Sequence, residues 1–225
     1  MKVKWGALMV DGRGKIGGQV ASKNRSGAYM KNKVTPINPR SQAQVLVRSY
    51  LAAASSAWGS LDQSLRSAFD SAVNDWTSTN IFGDSVKPTG KNLFSALGIN
   101  LLSINQTMPT SVPAKVAIPA LGLETATIDI SLGNFAITAG LEVGDFAFVV
   151  GATPTLSAGT SFTKGKFRNL LFGSGEIPLG DTLYTAYVAR FGVPAVGANI
   201  SVEVKLIAPT GQAGLPETLR VTVQA

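Results

Sequence analysis

Glycines at positions 12, 14 and 17 have the spacing with which a tight turn cradles a pyrophosphate at the start of a helix. An apolar run, Trp5 to Val10, precedes them, as that chemistry requires of its first strand. The residues after Gly17 do not fit. Gly18 to Lys23 reads as strand, so no helix N-terminus is positioned to hold a phosphate. A kinase-like glycine loop tolerates a strand there, but Lys23 stands too close to the glycines, and Asp145-Phe146-Ala147 lacks the glycine of the metal-binding loop. The three glycines therefore read as turn formers in a hairpin.

Other reactive chemistry is sparse. The 225 residues include no His and no Cys, which removes the Ser-His-Asp and Cys-His nucleophile systems, Cys/His zinc sites and disulfides. Carboxylates, lysines and tyrosines remain, but the acids are dispersed without the spacing of a metal loop. Glu142 and Asp145 could form a pair, though Gly140 to Phe146 reads better as a turn. No catalytic, cofactor-binding or metal-binding residue emerges, and the expectation is a non-enzyme with no cofactor.

Charge is where the chain is unusual. Ten of its 20 lysines and arginines fall in the first fifty residues, against the single acid Asp11. The other 175 residues carry ten bases and twelve acids, so a basic, glycine-rich head is joined to a near-neutral body. Lys15, Lys23, Arg25, Lys31, Lys33 and Arg40 are the candidate interaction residues, aimed at an acidic partner or a neighbouring subunit. Lys164, Lys166 and Arg168 alternate further on, where a solvated strand face is the simpler reading.

The elements that must position these residues read as an α+β protein. Lys4–Val10, Ile16–Lys23 and Ala28–Val34 are β-compatible runs divided by Asp11–Gly14 and Asn24–Gly27, which predicts a basic hairpin or three-stranded ribbon. Such a ribbon has little core of its own and needs something to lie on. Asn38 and Pro39 are placed to cap and open a helix with Val47, Tyr50, Leu51, Ala54 and Trp58 inward, stopped by Gly59. A capping pattern at Ser60–Gln63 starts a second helix with Leu65, Phe69, Ala72, Val73 and Trp76 inward. Lys87–Gly90 leads into a third with Leu93, Phe94, Leu97, Leu101 and Ile104 inward.

A composition break marks residues 106–113 as a linker, dividing an assembly domain, 1–105, from a second domain, 114–225. Beyond it, short apolar runs at 126–132, 135–139, 146–152, 166–172, 200–207 and 219–223 alternate with turn residues. That pattern predicts an antiparallel sandwich of immunoglobulin or fibronectin-III type. Asp181 to Gly192 interrupts it as a short helix, capped by Asp181, crossing one edge of the sandwich.

Three segments together carry a resemblance. Ser22–Tyr29 running into Pro36–Gln44 is the first, and Asn80–Gly83 with Gly90–Phe94 the second. Tyr187–Gly192 with Gly197, Ile200 and Thr210–Pro216 is the third. They resemble a largely uncharacterised family of structural proteins encoded by tailed bacteriophages and prophages. The resemblance spans nearly the whole chain, and its motifs are turns, caps and packing residues, with no catalytic residues to carry over. It implies a virion component assembled in the host cytoplasm.

The expected function is structural. A low-charge body, 15% charged residues with 45% hydrophobic, suits subunit packing, and a ribbon without a core suits docking on a neighbour. That points to a symmetric homo-oligomer in the head-tail connector or tail, its basic arm contacting the next subunit. The alternatives are a capsid-surface decoration protein and a virion protein that touches DNA non-specifically through the basic head. No apolar run approaches the roughly 18 residues of a membrane span, so no membrane partner is expected, and no small-molecule substrate.

Overall fold

The structure is a computed structural model and describes residues 2–4, 12–35, 37–140, 143–157, 159–174 and 180–225. Both helices and strands are present, in the order β1 (Lys2–Val3), β2 (Gly14–Ile16), β3 (Gln19–Asn24), β4 (Gly27–Asn32), α1 (Gln42–Ser60), α2 (Gln63–Ala72), β5 (Ser78–Thr79), β6 (Ser85–Val86) and α3 (Gly90–Ser103). The second half comprises β7 (Leu123–Asp129), β8 (Asn134–Ala139), β9 (Ala147–Ala152), β10 (Arg168–Ser174), α4 (Asp181–Phe191), β11 (Asn199–Ile207) and β12 (Glu217–Gln224). The class is α+β. Among the described residues no helix is long and apolar enough to cross a membrane.

The first four strands make one antiparallel sheet in the order β1-β4-β3-β2. Two expectations change here. Ile16–Lys23 is not one strand, because Gly17 takes φ 56 and turns the chain between β2 and β3. A side chain at that φ is strained, which is why glycine stands there. The expected strand Lys4–Val10 falls on residues 5–10, outside the described ones.

The helical unit keeps the expected order with different boundaries. Arg40 takes the left-handed φ of 51, so the helix cannot include it, and Ser41 caps α1 in place of Asn38 by accepting the Gln44 N–H at 3.4 Å. Ser41-Gln42-Ala43-Gln44 has the capping-box residues, and Pro39 lies outside the helix. Gly59 does not stop α1, which runs to Ser60 and ends at the extended Leu61. Asp62, not Ser60, caps α2 through the Ser64 N–H at 3.2 Å. Thr89 caps α3 by accepting the Asn92 N–H at 3.2 Å.

Phe69, Val73, Leu93, Phe94 and Leu97 form the helical core, with Trp58 and Trp76 packed against it. The Trp58, Phe69 and Phe94 rings meet at centroid distances of 5.4 to 6.1 Å. Each such pair adds about 0.5–1.5 kcal/mol beyond its buried area. The segment 106–113 is not a bare tether: Met108 and Val112 pack on this same core.

The C-terminal strands join in one mixed sheet, β10-β9-β11-β12-β7-β8, antiparallel except where β12 meets β7. The ladder thus runs unbroken through β12, which pairs with β11 by Glu217–Thr222 and with β7 by Val223 and Gln224. Helix α4 touches β8 and β10, the two ends of that ladder. The sheet is therefore curled, and α4 bridges its two edges over a shared core that includes Phe135, Phe148, Leu183, Tyr187, Ile200 and Val202. The cap of α4 is Gly180, at φ 78, with Asp181 in its first turn; a left-handed glycine makes the entry that an aspartate would resist. Glu217 closes the sheet's start by accepting the Leu121 and Leu123 N–H groups at 2.5 and 3.1 Å.

Candidate interaction surface

Pairing register decides which basic side chains share a face, because directly opposed residues in an antiparallel sheet point to the same side. Lys15, Val20 and Lys31 are opposed across β2, β3 and β4. Lys2, Tyr29 and Ser22 form the neighbouring row across β1, β4 and β3, two residues along and so on the same side. The Lys33 N–H donates to Gly18 O at 2.7 Å, which extends the ladder and keeps Lys33 in line with Lys31. One face of the ribbon therefore carries Lys2, Lys15, Lys31 and Lys33. No acid occurs between residues 12 and 33.

The other candidates lie elsewhere. Lys23 opposes Ala28 on the reverse face, the side on which Ala21 is buried. Arg25 sits in the β3–β4 turn, where the Ser26 N–H bonds Asn24 Oδ1 at 2.9 Å, and lines a hollow of about 390 Å³ with Trp76 and Leu93. The ribbon's tip thus faces the helical core. Arg40 stands just ahead of α1, at the end of an exposed connector. The structure gathers Lys15, Lys31 and Lys33 and separates Lys23, Arg25 and Arg40 from them. Sequence reasoning counted Lys2 in the basic head without selecting it, because only register places it on this face.

The ribbon is tied to the helical unit by polar contacts. Lys4 Nζ pairs with Asp84 Oδ1 at 3.0 Å and lies 5.4 Å from the Phe82 ring centroid. Asn80 donates to the same Asp84 carboxylate, and these hydrogen bonds, Asn80 first and then Lys4, hold its carboxyl below the usual range. Both partners are exposed, so this ion pair adds little to stability.

A second surface was not anticipated. The stripe Val47, Tyr50, Leu51, Ala54 and Trp58 on α1 is real in its periodicity, but only its later part is covered. Ala54 is buried and Trp58 meets the helical core, whereas Val47 and Leu51 are 58% and 52% exposed. Val45 and Leu46 beside them are each 51% exposed. The expectation that Val47 and Leu51 point into the core is wrong, because the helical core reaches α1 only from Ala54 and Trp58 onward; no residue from 42 to 53 is buried. The sequence signal for this lay in a stripe longer than the helices available to cover it.

The glycine spacing at 12, 14 and 17 makes a strand, a turn and a second strand, and no helix opens behind it. Among the described residues, no three acids gather as a metal-holding group. Comparison with protein families, curated proteins and solved structures gives no match.

Proposed function

We propose that this chain is a non-enzymatic structural component of a tailed-bacteriophage virion, built as a symmetric homo-oligomer in the head-tail connector or tail. The observation that carries the reading is the uncovered half of α1. Two large aliphatic side chains, Val47 and Leu51, each more than half exposed, continue a stripe whose other half is already in a core, and Leu46 and Val45 leave the helix apolar around its flank and back. Fully burying a Val or Leu side chain is worth about 1.5–3 kcal/mol, and Val47 and Leu51 still have about half of theirs to gain from a neighbour that covers this helix. A second copy is the simplest neighbour, and a ring closes if its rotation closes. Arg40 and Arg48 edge the same helix and give that contact a basic rim. The finer reading of residues 114–225 as an immunoglobulin-like module belongs to this proposal. Its support is that the module's opening strand β7 pairs with its closing strand β12 while the strands share one core.

The test is the mass of the full chain in solution at micromolar concentration, by light scattering and native mass spectrometry. A discrete multimer is expected, and Leu51→Glu should reduce it to monomer with an unchanged circular dichroism spectrum. A wild-type chain that stays monomeric at every concentration overturns the oligomer. In gradient-purified particles from a producing lysate, the chain should band with the capsid. Recovery only as free protein overturns the virion assignment.

A further inference from the structure

We infer that the lysine face of the ribbon binds a nucleic-acid backbone. This goes beyond the assembly reading and does not depend on it, since α1 and the ribbon face are separate surfaces. Four ammonium groups, on Lys2, Lys15, Lys31 and Lys33, stand on one side of a four-stranded sheet whose strands from 12 to 33 contain no acid. Lys15, Lys31 and Lys33 are exposed. Lys31 and Lys33, two residues apart on a strand, are about 6.8 Å apart along the chain. Lys15 lies across one intervening strand, about 9.5 Å from Lys31. A polyanion with a charge every 3.4 Å along each strand can engage all of them at once, whereas a single carboxylate cannot.

The hollow beside them suits the same ligand. Lys2, Asn24, Ser26, Gly27 and Tyr29 line about 220 Å³ at the head of the lysine rows. It offers a ring face, amide and hydroxyl groups, and a cation, which are the contacts that hold sugar and phosphate. Nothing on this face reads a base edge in a groove, so binding is to the backbone and is independent of sequence. An acidic protein surface is the competing occupant. Three of the chain's own acids are already engaged: Asp62 caps α2, Asp70 binds the α3 N-terminus and Asp84 holds Lys4.

The test is fluorescence anisotropy of the full chain against a labelled DNA duplex and a labelled single strand, each titrated at several salt concentrations. Four neutralised phosphates give a log–log salt slope of about −3.6 on duplex and about −2.8 on single strand. Lys31→Gln with Lys33→Gln should reduce the duplex slope by about 1.8, and Lys31→Arg with Lys33→Arg should restore it. Lys164→Gln with Lys166→Gln removes the same charge from an exposed turn of the other layer and should leave the slope alone. Equal losses from both glutamine pairs would mean diffuse charge attraction and overturn the site. So would a slope indifferent to Lys31 and Lys33. If that pair dissolves the oligomer while DNA binding stands, the face holds an acidic protein and the inference fails.

Discussion

Tyr187 is completely buried between Phe135 and Phe191, at ring distances of 6.0 and 5.1 Å, with its hydroxyl donating to Thr153 O at 3.3 Å. Burial pushes the phenol up from 10.0 to about 12, because the buried phenolate would lose the water that would solvate its charge. The sign is set by which state holds the proton. Below pH 10 folded and unfolded chains are both protonated and the full stability is present. Between 10 and about 12 the unfolded chain ionises while the folded one resists, so stability falls as pH rises. Tyr187→Phe should cost about 1 kcal/mol at neutral pH for the lost hydrogen bond. It should also flatten the alkaline decline relative to wild type. Urea unfolding at neutral pH and through the alkaline range checks both parts, and the difference between the two proteins removes the contribution of the other titrating groups.

Among the elements, α1 is the one whose stability is least supported by packing. Its first turns make no buried contact, so they depend on the Ser41 cap and on helix propensity alone. Ser41→Ala should cost about 1 kcal/mol, and the loss should stay local. Hydrogen exchange of amides 43–50 should quicken about five-fold while amides of α3 are unchanged; a uniform change across the chain would show that the first turns of α1 unfold only with the rest. Helix existence was legible from the sequence because apolar residues recur with helical period within each segment, Phe69 and Val73 in the second and Leu93, Phe94 and Leu97 in the third, and these do meet in one core. The caps themselves were not, since Asn38 and Ser41 are both good cap residues and only the left-handed Arg40 separates them. The strand runs of residues 123–224 were legible to within a few residues, because short β-branched and apolar runs bounded by turn residues mark strands wherever they pair. How those strands join was not. Pairing β12 with β7 is a contact between opposite ends of a module, which no local pattern encodes. The basic site was legible as charge and illegible as a face for the same reason: which lysines stand together is a matter of register.

At the scale of the whole molecule, α3 belongs to two cores. Its first half places Leu93, Phe94 and Leu97 among the helices, and its end places Leu101 and Ile104 against Val149 and Ile207 on the outside of the curled sheet. The joint is close. A Cβ on Gly211, at φ 84, would stand 2.5 Å from Leu97 O, and Asn100 Nδ2 donates to Gly211 O at 2.9 Å. Gln212 exchanges two hydrogen bonds with Val116, at 2.7 and 2.9 Å, beside it. A rigid helix shared by two cores should make them unfold together, so calorimetry of the full chain should give one transition. Ile104→Ala removes a buried contact from the sheet side of the joint and leaves the helical core intact. Its cost should be about 2–5 kcal/mol of coupling and sheet stability. The single transition should then separate, with the sheet melting apart from the helices. Two transitions in the wild type would mean that α3 does not couple the cores, and one undivided transition in Ile104→Ala would mean that the Ile104 contact is not what couples them. A coupled pair is what the assembly reading needs, because a neighbour that grips α1 then loads the sheet as well, through Trp58, Phe94 and α3.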